Sequence, residues 1–250
     1  MIIDSHMHLP VNYPNFALKK QALLREIGKN GVDMGIIIAD SELESVIGSV
    51  RDCIELFNDD SHIKVVAGIS PLINFDEQLR YCRNLLINGD IIGLKIYTGH
   101  ESFYCTDSVL FPVYDLAAEF HVPVLFHTGW DNSQYASPER MRELAKSRNN
   151  NIFVYCHCFY PEIERCFEVL GDCRNVYFDT SSVADNPEIL PQIRASLVKA
   201  IKQIPERFIF GSDFGSCSQE AHLRFAESLD ISDEQRELFM YYNSKYVYSL

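Results

Sequence analysis

The chain has 250 residues, 47% apolar and 23% charged, which gives ample material for a packed core and excludes a disordered or low-complexity chain. Its formal net charge is −13 and its 22 Lys and Arg residues form no basic run, so extended nucleic acid is excluded as a partner. No apolar run is long enough to span a bilayer, and the N-terminus reads as a strand without a basic leader, so the eight cysteines are taken as reduced thiols of a cytoplasmic protein.

Strand-like and helix-like segments alternate from the start. Residues 2–4 read as a strand and 16–30 as an amphipathic helix closed by Gly31; 34–39 is a short run of the buried-strand type. Residues 43–57 are helical in pattern, 63–69 form a strand, 75–87 a helix and 91–96 a fourth strand. The second half keeps the rhythm, with helices at 111–120, 138–148, 161–170 and 187–203, strands at 122–126, 152–155, 176–178 and 208–210, and helical segments to the end. Eight strand-helix units with strands apolar on both faces imply a parallel sheet. In about 250 residues they fit a closed (β/α)8 barrel of the α/β class better than an open sheet. No linker or composition shift interrupts the series, so 1–250 is read as one domain.

The polar residues then fall where this fold places chemistry, at the C-terminal ends of strands. Asp4-Ser5-His6-Met7-His8 follows the first apolar run. Alternate residues of an extended strand share a face about 7 Å apart, so His6 and His8 can converge on one ion. Lys95, His127, His157 and Asp213 close strands four, five, six and eight, directed at the same mouth. Neutral imidazoles with one carboxylate suit Zn2+ and similar divalent ions. Asp4 is placed one pleat below His6 on the same face, either orienting an imidazole or capping the barrel interior. Asp179, closing strand seven, is read as structural, and His62, His121 and His222 as residues of helix ends or loops. His100, in the fourth strand-to-helix loop, is read the same way. Alternation sends Cys156 and Cys158 toward the helical layer, away from His157, and excludes them as ligands.

These residues resemble the amidohydrolase superfamily, and within it the amidohydrolase-related branch of TIM-barrel metal-dependent hydrolases. The resemblance is carried by Ile-Asp-Ser-His-Met-His at 3–8, Gly-Leu-Lys-Ile-Tyr at 93–97, Pro-Val-Leu-Phe-His-Thr-Gly at 123–129, Tyr-Cys-His at 155–157 and Phe-Gly-Ser-Asp at 210–213, in order over nearly the whole chain. It implies His6, His8, His127 and Asp213 as metal ligands, and His157 as a ligand to a second metal or a group that polarises substrate. Relatives with two metals bridge them with a carboxylated fourth-strand lysine, here Lys95. One ion with an unmodified Lys95 is the expectation, and two ions the alternative. A glycine often follows the sixth-strand histidine in relatives, whereas Cys158 stands here.

A divalent ion brings the pKa of bound water to about 7, and Asp213 beside it is the natural general base, with His157 near the developing negative charge. The expected function is metal-dependent hydrolysis of an amide, ester or lactone in a small organic molecule. The alternative is non-oxidative decarboxylation of an aromatic or unsaturated carboxylic acid. A non-catalytic metal- or ligand-binding barrel is the reading of another class, which retention of Asp213 opposes. Tyr97 and Trp130 are the expected substrate-binding residues among aromatics that also include Tyr13, Phe103, Tyr104, Tyr135, Phe159 and Tyr160 in loops at the same mouth. No cationic cluster marks a phosphate or dicarboxylate site, and no sequence feature fixes an oligomeric state.

Overall fold

The computed structural model describes residues 1–130 and 133–250. The chain builds eight parallel strands, ordered β1 to β8 around the sheet, each followed by a helix. The first half contains β1 (Ile3–Met7), α1 (Phe16–Asn30), β2 (Met34–Ile38), α2 (Val50–Phe57), β3 (Ile63–Gly68), α3 (Phe75–Asn88), β4 (Leu94–Ile96) and α4 (Phe111–Phe120). The second contains β5 (Val124–Phe126), α5 (Pro138–Ser147), β6 (Phe153–Cys156), α6 (Ile163–Leu170), β7 (Val176–Asp179), α7 (Leu190–Gln203), β8 (Phe208–Ile209) and α8 (Gln219–Glu227). The barrel closes between β1 and the segment after β8: Ser5 N donates to Phe210 O at 2.9 Å and Asp213 N to His6 O at 2.8 Å.

Strands buried on both faces feed two cores. Ile3, Ile36, Val66, Leu125, Val154 and Ile209 fill the barrel interior, where Val247 and Tyr248 from the C-terminal segment join them. A larger cluster, including Phe126, Phe153, Phe178 and Phe208, packs between sheet and helices. Each fully buried aliphatic or aromatic side chain contributes about 1.5–3 kcal/mol of transfer free energy.

One departure from the sequence pattern matters for the site. Residues 43–57 were expected to be helical throughout, yet α2 starts at Val50. Ser49 caps it, accepting from Asp52 N while Asp52 accepts from Ser49 N, a reciprocal arrangement worth about 1 kcal/mol. Residues 40–49 are thereby released as a connection beside the barrel mouth. No described helix is long and apolar enough to cross a membrane.

Candidate metal centre

β1 supplies the first two donors, but not by simple alternation. Its register against β2 shifts between Asp4 and Met7. Asp4 is therefore carried toward α8, where it accepts from Gln219 Nε2 at 2.7 Å, Ser212 N at 2.9 Å and Ser212 Oγ at 2.5 Å. Burial pushes its carboxyl up to about 6 despite these bonds. The expectation that Asp4 shares the face of His6 and His8 is corrected: an irregular strand breaks the two-residue period. Asp4 braces the segment after β8, and meets His6 only at the backbone N–H, 3.4 Å away.

Asp179, read from sequence as structural, orients His6. His6 Nδ1 lies 2.5 Å from Asp179 Oδ2, and His8 Nδ1 lies 2.8 Å from the Ile38 carbonyl. Carboxylates and carbonyls accept, so both rings carry their proton on Nδ1 and present a lone pair at Nε2. Asp213 Oδ1 stands 3.6 Å from His6 Nε2 and 3.3 Å from His8 Nε2. Three acceptors thus meet with no proton between them, and His6 Nε2 is buried without a hydrogen-bond partner. A cation resolves this arrangement, and the donor set fits a divalent metal ion. Small space beneath the cluster is required too: a Cβ on Gly211 would lie 2.3 Å from Asp179 Oδ1 and 2.8 Å from His6 Cβ.

Asp213 is held from the other side by Ser182 Oγ, which donates to Oδ2 at 2.5 Å. Burial pushes its carboxyl up, but His8, His6 and His157 outweigh it and hold it well below the usual carboxylate range. Burial acts likewise on Asp179, and His6 outweighs it there. Asp179→Asn is expected to weaken metal affinity by about 10–100-fold, the usual cost of losing an orienting partner. Competition against a chromophoric chelator reads this directly, and unchanged affinity would remove Asp179 from the role.

β6 breaks the expected alternation at its end. Cys156 faces the barrel interior with Val154, and its Sγ accepts from Lys95 Nζ at 3.1 Å. His157 follows at φ +63° and turns into the same mouth, so consecutive side chains share a side. The expectation that Cys156 points to the helical layer is therefore corrected. Cys158 does leave the mouth, with Sγ donating to Asp179 O at 3.2 Å, and its φ of +50° shows why a glycine suits this position. His6, Cys156 and Asp179 form a second close donor group. The His6–Asp179 hydrogen bond already closes it, and the Lys95 ammonium abuts its sulfur. Burial lowers the His157 ring to about 3, while Ser181 Oγ at 2.8 Å engages Nδ1 and leaves Nε2 as its remaining polar atom.

Lys95 is fully buried and pairs with neither Asp4 nor Asp213. His127 lines the same cavity, its ring 4.9 Å from His157, but its donor atoms lie outside the three-acceptor cluster. Burial, with the charges of His157 and Lys95, holds its ring well below the usual imidazole range. His100 also faces the cavity, 4.2 Å from the His127 ring, which corrects its reading as a bystander. His62 and His121 are exposed, and His222 is buried on α8 with Nδ1 2.9 Å from Ser218 O.

The cavity measures about 710 Å3. Tyr97 and Trp130 line it, with Trp130 stacked on His127 at 5.8 Å; they are its only Phe, Tyr or Trp residues among those described. Phe103 and Phe159 are buried in packing, Tyr104 and Tyr135 contact each other, and Tyr13 is exposed. The sequence missed Ser181, which engages His157 from behind, and Ser182, Asp40, Glu42, Glu101 and Asp185, which line this cavity. The run Thr180-Ser181-Ser182 just after β7 was the available signal for the first two.

A sequence model of the amidohydrolase family matches residues 3–250. No curated protein matches the chain by sequence. Among solved structures, an uncharacterised TIM-barrel protein from Bordetella bronchiseptica is similar at 17% identity, with a TM-score of 0.81 over 99% of this chain and 98% of its own. A 5-carboxyvanillate decarboxylase from Sphingomonas paucimobilis is similar at 13% identity and a TM-score of 0.70, covering 100% and 99%. A 2,6-dihydroxybenzoate decarboxylase from Rhizobium is similar at 13% identity and a TM-score of 0.73, covering 99% and 98%.

Proposed function

Because the chain belongs to the amidohydrolase family, we propose that it is a metal-dependent enzyme that releases CO2 from a small aromatic or unsaturated carboxylic acid. The observation that carries this reading is the meeting, in one cavity, of a proton-free acceptor cluster, the flat faces of Trp130 and Tyr97, and the buried ammonium of Lys95. A planar acid matches those walls and that positive floor. Likeness to two decarboxylases of substituted aromatic acids supports it.

His6, His8 and Asp213 would hold one ion, of the Zn2+ type, with His127 as a fourth donor and Lys95 unmodified. That ion supplies positive charge that draws electron density from substrate oxygens. Asp213, fixed by Ser182, is the group placed to take up a proton from solvent water and pass it to the carbon that loses CO2. The electron pair of the broken C–C bond takes up that proton. His157, held by Ser181, contacts a substrate oxygen. The eight free cysteines support a reducing compartment, and cytoplasmic residence belongs to this reading.

A second reading is hydrolysis of an amide, ester or lactone, favoured by the position of the Asp213 carboxylate beside both His6 Nε2 and His8 Nε2, where a general base would stand. One experiment separates them. Protein with metal content measured by elemental analysis is offered aromatic acids, lactones and amides, with CO2 and hydrolysis products followed together. Acid-dependent CO2 release with about one ion per chain is expected. Lactone or amide turnover without CO2 from any acid would replace this reading by the second.

A further inference from the structure

Charge around the cavity is arranged in two levels. On the floor, beside the acceptor cluster, Lys95 Nζ donates to Cys156 Sγ, and no carboxylate lies within ion-pairing distance of it among the described residues. It is the cavity's one Lys or Arg among those residues. At the mouth stand Asp40, Glu42, Glu101 and Asp185. None of these four is paired with Lys or Arg among the described residues. Carboxylates on the outer helices are: Glu119 meets Arg83 at 2.5 Å and Asp115 meets Arg148 at 2.5 Å.

Three of the rim carboxylates are also held in place. Asp40 accepts from Ser45 Oγ at 2.7 Å, and Asp185 lies 2.7 Å from Cys217 Sγ. Glu101 accepts from Ser70 Oγ through Oε1, while its Oε2 is buried with no hydrogen-bond partner. An unmatched buried acceptor costs about 1–3 kcal/mol, which a ligand's donor recovers. Burial, with Asp40 and Glu42 nearby, pushes the Glu101 carboxyl up, as expected where like charges gather without counterions.

We propose that the site selects a monocarboxylic acid bound in one orientation, its single anion toward Lys95 and the metal cluster, and a hydrogen-bond donor at its opposite end, an amine in preference to a hydroxyl, toward Glu101 and the acidic rim. A second carboxylate at that end is excluded. This specificity rests on the carboxylic-acid reading above and adds a polarity to it. A rim charge about 8 Å from a charged substrate end, in a medium of intermediate dielectric, changes affinity by about fivefold.

The test is calorimetric titration of the zinc-loaded protein with benzoate, 4-(aminomethyl)benzoate and terephthalate, which share one ring. The aminomethyl acid is expected to bind at least about tenfold more tightly than terephthalate. Glu101→Gln should weaken the aminomethyl acid by about fivefold and so narrow that gap, and Lys95→Met should weaken all three. Equal affinity for the aminomethyl acid and terephthalate, or a gap that Glu101→Gln leaves unmoved, overturns the proposed polarity. CO2 release from an acid would still uphold the carboxylic-acid reading in that case. Failure of all three to bind, with a lactone turned over, overturns that reading and the polarity with it.

Discussion

His6→Ala is expected to leave the purified protein almost without a divalent ion, its affinity lowered by a hundredfold or more, beyond the usual effect of losing an orienting partner. The variant removes one of the three acceptors that converge without a proton. It also strands Asp179, a fully buried carboxylate whose Oδ2 is 2.5 Å from the ring removed. An uncompensated buried charge costs about 3–5 kcal/mol, so His6→Ala should melt earlier as well as lose metal. His8→Ala separates the two effects. Its Nδ1 meets only the Ile38 carbonyl, the His6–Asp179 bond survives and Asp213 keeps Ser182 Oγ, so the fold should hold better than in His6→Ala while metal affinity falls comparably. His127→Ala should cost less metal than either, because its donors lie outside the cluster. Elemental analysis and thermal unfolding on the three variants give the ranking, and full metal retention in both His6→Ala and His8→Ala would remove the cluster as the site.

The eight strand-helix units were legible because each strand is buried on both faces and reads as a continuous apolar run, a signal that survives errors of a few residues at its ends. His6, His8, His127, His157 and Asp213 were legible as strand-end residues for the same reason, and the structure brings all five to one cavity. What failed was the assumption of strict alternation. Asp4 and Cys156 were placed on the wrong side because β1 carries a register shift and the chain turns left-handed just after β6. Neither has a local composition mark.

Asp179 was missed for a different reason. Its role depends on closure of the barrel, which brings the end of β7 within one strand of β1, a relation 173 residues apart that no window of sequence contains. The acidic rim is of the same kind, since Asp40, Glu101 and Asp185 come from three separate loops. Only closure of the barrel makes them neighbours. Helical periodicity in residues 43–57 was present but outcompeted locally by the Ser49–Asp52 cap, which starts α2 later and gives residues 40–49 to the mouth.

Asp213→Asn is expected to keep much of the metal yet lower turnover by about 10²–10⁴-fold, the range ascribed to a lost proton-transfer group. The backbone tolerates the change: Asp213 sits at φ +61°, a conformation that asparagine adopts more readily than most residues. An amide oxygen turned toward His6 and His8 can still serve as a donor to the ion, and Ser182 Oγ can rotate to accept from the amide NH2. What the amide cannot do is hold and release a proton. The loss should therefore appear in kcat more than in KM, and it should be the same whether the reaction releases CO2 or adds water, because both readings assign proton transfer to this one carboxylate. Asp213→Ala, in contrast, should lose metal as well, since it removes the third acceptor. Full turnover by metal-loaded Asp213→Asn on the acid that the CO2 assay identifies would take the proton-carrying role away from Asp213. His157, the other polar group on the cavity wall held by hydrogen bonds to Ser181, would then be the next group to substitute.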